Sequence, residues 1–233
     1  MRRRLSYLVS AVILVALAAC NTEAEPTSST DGALTGVLRL DPGTCSDAGV
    51  TSGSSFRMIQ PGGAEESGPF VTNGDSSCGD KTWTSLAPGS DGGLILGDFQ
   101  SNPDPAFDAA GNGLAGQLTQ PQKWFAVAFS LSTNQKDPQT GADVDAPSIR
   151  LEGSELTGDL RAFSAAWNGQ FFNQGSPKPD GSRPGNTTEV TGSYDRTTKR
   201  VNLAWASQIV GGPFNNFTGV WNFEGVLQPA DTG

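Results

Sequence analysis

The sequence predicts an all-β domain, a single antiparallel β-barrel or β-sandwich with long loops and at most one short helix. Short segments alternate apolar and polar residues at a period of two, which is typical of a strand with one buried face. The 30 glycines and 15 prolines supply turn residues between these segments. The pattern alone does not decide between a barrel and a sandwich.

The first part of the domain contains three predicted strands and the one predicted helix. Leu34, Gly36, Leu38 and Leu40 alternate with Thr35, Val37 and Arg39, which predicts a half-buried strand. Two more strand segments are predicted at 55–60, closed by a Pro-Gly-Gly turn, and at 93–100. Residues 108–120 are the candidate for the single short helix.

The second half of the chain carries the clearest strands. Its apolar side chains fall on one face of each predicted strand: Phe125, Val127, Phe129 and Leu131; Leu156, Gly158, Leu160 and Ala162; Val201, Leu203 and Trp205; and Trp221, Phe223 and Leu227. Residues 194–200 form a polar turn that predicts a hairpin between 187–194 and 199–208.

The N-terminal segment predicts export. Arg2, Arg3 and Arg4 precede an almost uncharged run over 5–19, whose apolar centre is too short for a helix that crosses a hydrocarbon core of about 30 Å. A basic start, a short apolar middle and small residues at the exit predict a secretory signal peptide over residues 1–19.

At the exit of this segment, Leu17-Ala18-Ala19-Cys20 resembles the lipobox of bacterial lipoproteins. The resemblance implies that the Cys20 thiol receives a diacylglycerol, and that cleavage before Cys20 leaves the protein anchored at the extracytoplasmic face of the cell membrane. Residues 20–32 then form a flexible tether and residues 33–229 the β domain. The alternative is an ordinary secretory cleavage site with an unmodified cysteine.

Composition excludes several classes of function. Removal of residues 1–19 leaves 12 Lys and Arg against 24 Asp and Glu, so the formal charge changes from −9 to −12. So acidic a chain argues against nucleic-acid binding, and it leaves membrane attachment to the lipid. The chain has no histidine, which excludes Ser-His-Asp catalysis and the usual zinc sites. No cofactor is predicted.

The other two cysteines, Cys45 and Cys78, predict a disulfide, because an even pair in an exported protein is usually oxidised. Such a bond would stabilise the fold by about 4 kcal/mol through the entropy of the unfolded chain. Two free thiols, or half of a metal site, are the alternatives.

Two segments, 167–182 and 209–218, interleave aromatic residues with Asn and Gln. This composition suits sugars or other polar, uncharged ligands, because rings offer an apolar surface and amides offer donors and acceptors. The predicted ligand-binding residues are Trp167, Asn168, Phe172, Asn173, Phe214 and Asn215. The alternative is a barrel end where Phe side chains fill the core and amides cap the backbone.

Carboxylates are the other candidates for chemistry. An enzyme that acts on polysaccharide needs two, about 5–9.5 Å apart. The candidates are Asp98, Asp104, Asp108, Glu152, Glu155, Asp159 and Glu224, and the sequence does not select a pair. A further loop carries Asp137, Asp143 and Asp145 without the spacing of an EF-hand, so no metal site is predicted.

Segments 56–63, 171–182 and 207–219 resemble recurring sequences of an uncharacterised group of exported actinobacterial lipoproteins, a group that brings no known activity to the comparison. The prediction is a lipid-anchored, extracytoplasmic β domain that binds a small molecule, a glycan or an envelope partner without catalysis. The alternatives are a carboxylate enzyme acting on cell-wall polysaccharide, and a structural or adhesion module without a pocket. A cavity of a few hundred cubic ångströms would favour binding.

Overall fold

A computed structural model describes residues 31–228 of the chain. The predicted signal peptide, Cys20 and most of the predicted tether lie outside these residues. The described residues form 17 strands, which confirms the all-β prediction: β1 (Gly32–Leu34), β2 (Gly36–Leu40), β3 (Thr44–Ser46), β4 (Gly49–Ser52), β5 (Ser55–Ala64), β6 (Gly68–Phe70), β7 (Thr84–Ser85), β8 (Gly93–Leu96), β9 (Gln122–Trp124), β10 (Val127–Thr133), β11 (Ser148–Glu152), β12 (Glu155–Asp159), β13 (Phe163–Trp167), β14 (Gln170–Asn173), β15 (Val190–Tyr194), β16 (Arg200–Gln208) and β17 (Thr218–Gln228).

The largest sheet is a nearly closed antiparallel barrel. Its strands follow the order β1-β11-β12-β15-β16-β17-β2-β8, and β5 extends it by pairing with the first half of β17. Only Thr35 separates β1 from β2, so the path around the sheet returns to the chain segment where it began. The alternation predicted from Leu34 to Leu40 is therefore confirmed, although two consecutive strands share it.

The β16–β17 hairpin is the centre of the barrel. Its register runs from Arg200 opposite Val226 to Gln208 opposite Thr218, and it places Trp205 beside Trp221. Both indoles are buried in the interior, as the predicted strand faces required. A second sheet, β14-β13-β10-β9, packs against this core. Phe163 joins the two, with its ring 5.2 Å from each of these indoles.

The predicted strand over 124–132 is two strands with a tight turn between them. Trp124 at the end of β9 pairs with Val127 at the start of β10, and Phe125 and Ala126 form the turn with positive φ. The prediction for Phe125 was therefore wrong, since its side chain is 51% exposed. Turns of this type usually carry Asn or Gly. This turn was not predicted because Phe125 and Ala126 continue the apolar alternation of the strand.

The helix predicted over 108–120 is also wrong, because the described residues contain no helix. The Asp108 carboxylate accepts hydrogen bonds from the backbone of Ala110 and from the backbone and side chain of Asn112, which closes a turn instead. The glycines of this segment disfavour helix as well. Within residues 31–228, accordingly, no helix could span a bilayer.

A disulfide joins Cys45 to Cys78, as predicted, with their Cα atoms 5.0 Å apart. Cys45 lies on β3, which pairs only with β4. Cys78 lies in the irregular segment before β7. The bond therefore fixes the β3–β4 hairpin to the loop before β7, beside the hydrogen bond from the Gly79 amide to the carbonyl oxygen of Ser46.

The barrel has two distinct ends. At one, called here the N-terminal end, Asp31 accepts a hydrogen bond from the Gly153 amide in the β11–β12 turn and forms an ion pair with Arg196 in the β15–β16 turn. At the other, called here the loop end, residues 209–217 connect β16 to β17. The nine residues of β16 separate these ends by about 30 Å at 3.3 Å per residue.

Candidate functional site

A pocket of about 350 Å³ opens at the loop end of the barrel. It lies between three segments: the loop after β10, the loop after β14, and the start of the β16–β17 loop. Its apolar wall is formed by Ala142, Pro179, Pro184 and Val210. Its polar wall is formed by Gln139, Thr140, Asn173, Lys178, Asp180 and Ser182. We call this space the lysine pocket.

Lys178 is the buried charged group of this pocket, with 6% of its surface exposed. Its Nζ donates hydrogen bonds to the carbonyl oxygen of Asn173, at 2.9 Å, and to Oγ of Ser207, at 2.7 Å. Burial lowers the pKa of Lys178 to about 8, while the negative charges of Asp137 and Asp180 act in the opposite direction. The ammonium is therefore present at neutral pH but poorly compensated.

Asn173 holds the two loops of the pocket together. Its side-chain amide donates to Oδ1 of Asp137, at 3.0 Å, and to the carbonyl oxygen of Arg161, at 2.9 Å. Its backbone amide donates to Oε1 of Gln139 at 2.6 Å. Because the bonds to Asp137 and Gln139 cross from β14 to the loop after β10, they hold these two walls of the pocket together.

Asp137 is fully buried beneath the pocket. Besides Asn173, its carboxylate accepts hydrogen bonds from the backbone amide of Thr140, at 2.8 Å, and from the Thr140 hydroxyl, at 2.7 Å. Three donors therefore hold the Asp137 carboxylate in place, and its negative charge partly offsets the nearby ammonium of Lys178. This residue is therefore part of the pocket's framework.

The Lys178–Ser207 contact has the distance of a Ser-Lys catalytic pair, but it does not make a nucleophile. Ser207 is fully buried, so no substrate atom reaches its oxygen. Its hydroxyl donates to the carbonyl oxygen of Gly175 at 2.8 Å while accepting from Lys178. A nucleophile would have to give its proton to the lysine, which here is the donor. The contact positions Lys178.

Beside the pocket lies an apolar group that we call the aromatic cluster: Trp124, Trp167, Phe172 and Phe214. The Phe214 ring is 5.4 Å from that of Trp124 and 5.5 Å from that of Trp167. The Trp167 indole nitrogen donates to the carbonyl oxygen of Trp124 at 2.8 Å. The gap between these rings and the barrel core is only about 40 Å³, room for about one or two water molecules.

The structure distributes the six predicted ligand-binding residues over three environments. Trp167, Phe172 and Phe214 belong to the aromatic cluster, and Asn173 lines the lysine pocket. Asn168 and Asn215 are in turns. Asn168 has φ of 50° in the β13–β14 hairpin, and the Asn215 side chain accepts from the amide of Gly211 at 2.7 Å.

Among the candidate carboxylates, Asp108, Asp159 and Glu224 are held by separate local contacts. Asp159 forms an ion pair with Arg161 at 2.6 Å, and Glu152 lies opposite Glu155 across an exposed turn. Glu224 accepts hydrogen bonds from the amide of Gly53 and the side chain of Asn222. Across residues 31–228, no group of three or more acidic, Cys or His side chains is arranged to hold a metal ion.

Sequence reasoning did not single out Lys178, Ser207 or Gln139. The sequence feature that could have drawn attention to Lys178 is its place between two prolines inside the predicted segment 167–182. A lysine is almost never fully buried without partners, so its burial depends on acceptors that come from other strands. Those acceptors are known only once the fold is known.

No protein-family model matches the chain, and no curated protein or solved structure matches it at a significant level.

Proposed function

We propose that this chain is a lipid-anchored, extracytoplasmic protein whose β domain binds a small hydroxylated molecule in the lysine pocket without transforming it. The observation that carries the proposal is the pocket of about 350 Å³, to whose wall both of the segments singled out from the sequence contribute. This volume falls in the range of small-molecule sites, whereas the gap beside the aromatic cluster holds no ligand of that size.

The lining of the pocket suits a sugar-like ligand. Proline, alanine and valine side chains supply an apolar surface for C–H groups. Lys178 supplies a donor, Asp180 an acceptor, and Gln139, Thr140 and Ser182 neutral polar groups. Gln139 already bonds to Asn173 and Val210, and Thr140 to Asp137, so these two side chains offer only their remaining hydrogen-bonding capacity. Because apolar and hydrogen-bonding groups face the same space, the pocket favours a molecule with several hydroxyl groups over a purely apolar one.

The position of the pocket fits an anchor at Cys20. The first described residue, Asp31, is held at the N-terminal end of the barrel by Gly153 and Arg196. The pocket lies at the loop end, about 30 Å along β16 from the N-terminal end. A tether attached at the N-terminal end therefore leaves the pocket facing away from the membrane, where water-soluble envelope molecules reach it.

A substitution that fills the pocket tests the binding proposal. Ser182 is exposed at the pocket rim, so Ser182→Trp should block the space and leave the fold intact. Amide shifts in ¹H–¹⁵N NMR spectra of the mature protein, titrated with glucose and with glucuronate, measure binding. The control is Thr197→Trp, an exposed position in the turn at the opposite end.

We expect shifts around the pocket in the wild type and in Thr197→Trp, and their loss in Ser182→Trp. The absence of shifts with both sugars, or equal shifts in all three proteins, would contradict the proposal and favour a module that acts through its outer surface.

The anchor is tested separately by mass spectrometry of the protein purified from bacterial membranes. We expect a mature N-terminus at Cys20 that carries the acyl mass, and failure of membrane attachment in Cys20→Ala. An unmodified Cys20, or cleavage at another residue, would contradict the proposed anchoring and leave the pocket proposal standing.

A further inference from the structure

Lys178 is the least compensated charged group in the lysine pocket. An ammonium carries three N–H donors. Within residues 31–228, two acceptors contact this one: the carbonyl oxygen of Asn173 and the hydroxyl of Ser207. Both are neutral, although a charged donor bonds most strongly to a charged acceptor. The third N–H has no hydrogen-bond acceptor among the described residues, and Lys178 is part of the pocket wall.

The charged groups around Lys178 come from three elements. Asp137, on the loop after β10, bonds to Asn173 and Thr140. Asp180, on the loop of Lys178 itself, accepts from the Ser182 amide at the exposed rim. Arg161, which follows β12, is engaged by Asp159 and Asp145. None of these carboxylates makes a direct ion pair with Lys178, whose burial lowers its pKa.

An anionic ligand group would be attracted by Lys178 and repelled by two carboxylates: Asp137 beneath the pocket, which is already bonded to Asn173 and Thr140, and Asp180 at the rim. Lys178 is buried and Asp180 is exposed, so the effective dielectric constant between a ligand and Lys178 is lower. At equal distance, an attraction at a dielectric constant of about 20 is about four times a repulsion at about 80. The attraction to Lys178 therefore exceeds the repulsion by Asp180.

We propose that the lysine pocket takes a hydroxylated ligand that carries one carboxylate, a sugar acid rather than a neutral sugar, and that this carboxylate accepts the third N–H of Lys178. The inference rests on the proposed binding function. The hydroxyl groups of such a ligand face the Gln139, Thr140 and Ser182 side of the pocket, and Asp180 at the rim disfavours a second negative charge.

The experiment compares glucuronate with glucose, which differ in the carboxylate at one carbon. We expect NMR titration of the wild type to give about tenfold or greater preference for glucuronate, the effect of one charge-assisted hydrogen bond. Lys178→Met should reduce this preference to about twofold or less, while the exposed Lys123→Met, on β9, retains it.

A second measurement uses only the wild type, so it tests the inference even if Lys178→Met does not fold. Because binding a carboxylate favours the charged lysine, glucuronate should bind with proton uptake near pH 8 and lose affinity as the pH rises further. Calorimetry in two buffers of different ionisation enthalpy measures this uptake.

Equal binding of both sugars, with no proton uptake, would overturn the carboxylate inference and leave the proposed function intact. Binding of neither sugar would overturn both.

Discussion

The aromatic cluster and the lysine pocket lie side by side and both draw on the segments 167–182 and 209–218, yet they differ in volume and chemistry. Phe172 faces the cluster and the next residue, Asn173, lines the pocket. Likewise, Ile209 faces the cluster and Val210 lines the pocket. Successive side chains of an extended chain point to opposite sides, so one segment supplies core on one face and pocket lining on the other.

The sequence pattern did not distinguish residues that pack the core from residues that line a pocket, whereas the structure does. Aromatic residues next to amides predicted a combined binding surface. In the folded chain, most of the rings pack together and leave a gap of only about 40 Å³. Polar and small apolar side chains line the lysine pocket, whose volume is about 350 Å³. We therefore expect substitutions in the cluster to change stability and substitutions in the pocket to change binding.

The largest effect is expected from Phe172→Ala. The Phe172 side chain is buried against the core, so its truncation should lower the free energy of unfolding by about 3 kcal/mol, through lost burial and the cavity left behind. Urea denaturation measures the loss, and Phe172→Leu, which retains much of the volume, should cost less than about 1.5 kcal/mol. Glucuronate affinity should not change at temperatures where the variant is folded. Reduced affinity in the folded variant would show that the cluster and the pocket are coupled.

An intermediate effect on the free energy of unfolding is expected from the titration of Lys178. Folding lowers its pKa from 10.5 to about 8 because its ammonium is buried. Between these values the unfolded chain retains a proton that the folded chain has released, so stability rises with pH. From pH 7 to pH 9.5 the free energy of unfolding of the wild type should increase by about 2 kcal/mol relative to Lys178→Met.

Urea denaturation across this pH range measures the increase. The exposed Lys123→Met should show the same rise as the wild type. A wild type and a Lys178→Met variant with parallel pH profiles would mean that the lysine is not buried in solution.

The smallest effect is expected from Asn168→Ala. Asn168 adopts φ of 50° before Gly169 in the β13–β14 turn, a conformation that costs alanine about 1 kcal/mol more than it costs asparagine. Thermal denaturation should show this modest loss, and NMR titration should show unchanged sugar binding. A variant that is as stable as the wild type but binds the sugar more weakly would contradict this prediction. It would mean that Asn168 contributes to sugar binding and not only to the turn.

The all-β class, the disulfide and the buried faces of β16 and β17 follow from the sequence because each depends on a local pattern or on simple pairing. Val201, Leu203 and Trp205 alternate at a period of two, and the strand they predict is present. The Phe125–Ala126 turn escaped prediction because its residues continue the same alternation. A period alone does not show where an apolar chain reverses direction.

The pocket was predictable as a region but not as a set of contacts. The segments 167–182 and 209–218 were singled out from composition, and both contribute to its wall. The partnership of Lys178 with Ser207 spans 29 residues, and that of Asn173 with Asp137 spans 36. Such contacts depend on how loops from different strands meet, for which neighbouring residues in the sequence carry no signal.

The single residue between β1 and β2 has a consequence for rearranging the chain. The ring of strands is closed by covalent continuity at Thr35, and residues 31 and 228 both leave the barrel at its N-terminal end. A linker between those two residues, with new termini at the Asn168–Gly169 hairpin tip, would preserve every strand pairing of the ring. The barrel is in this sense suited to circular permutation, and a permuted chain could be tethered from its opposite end.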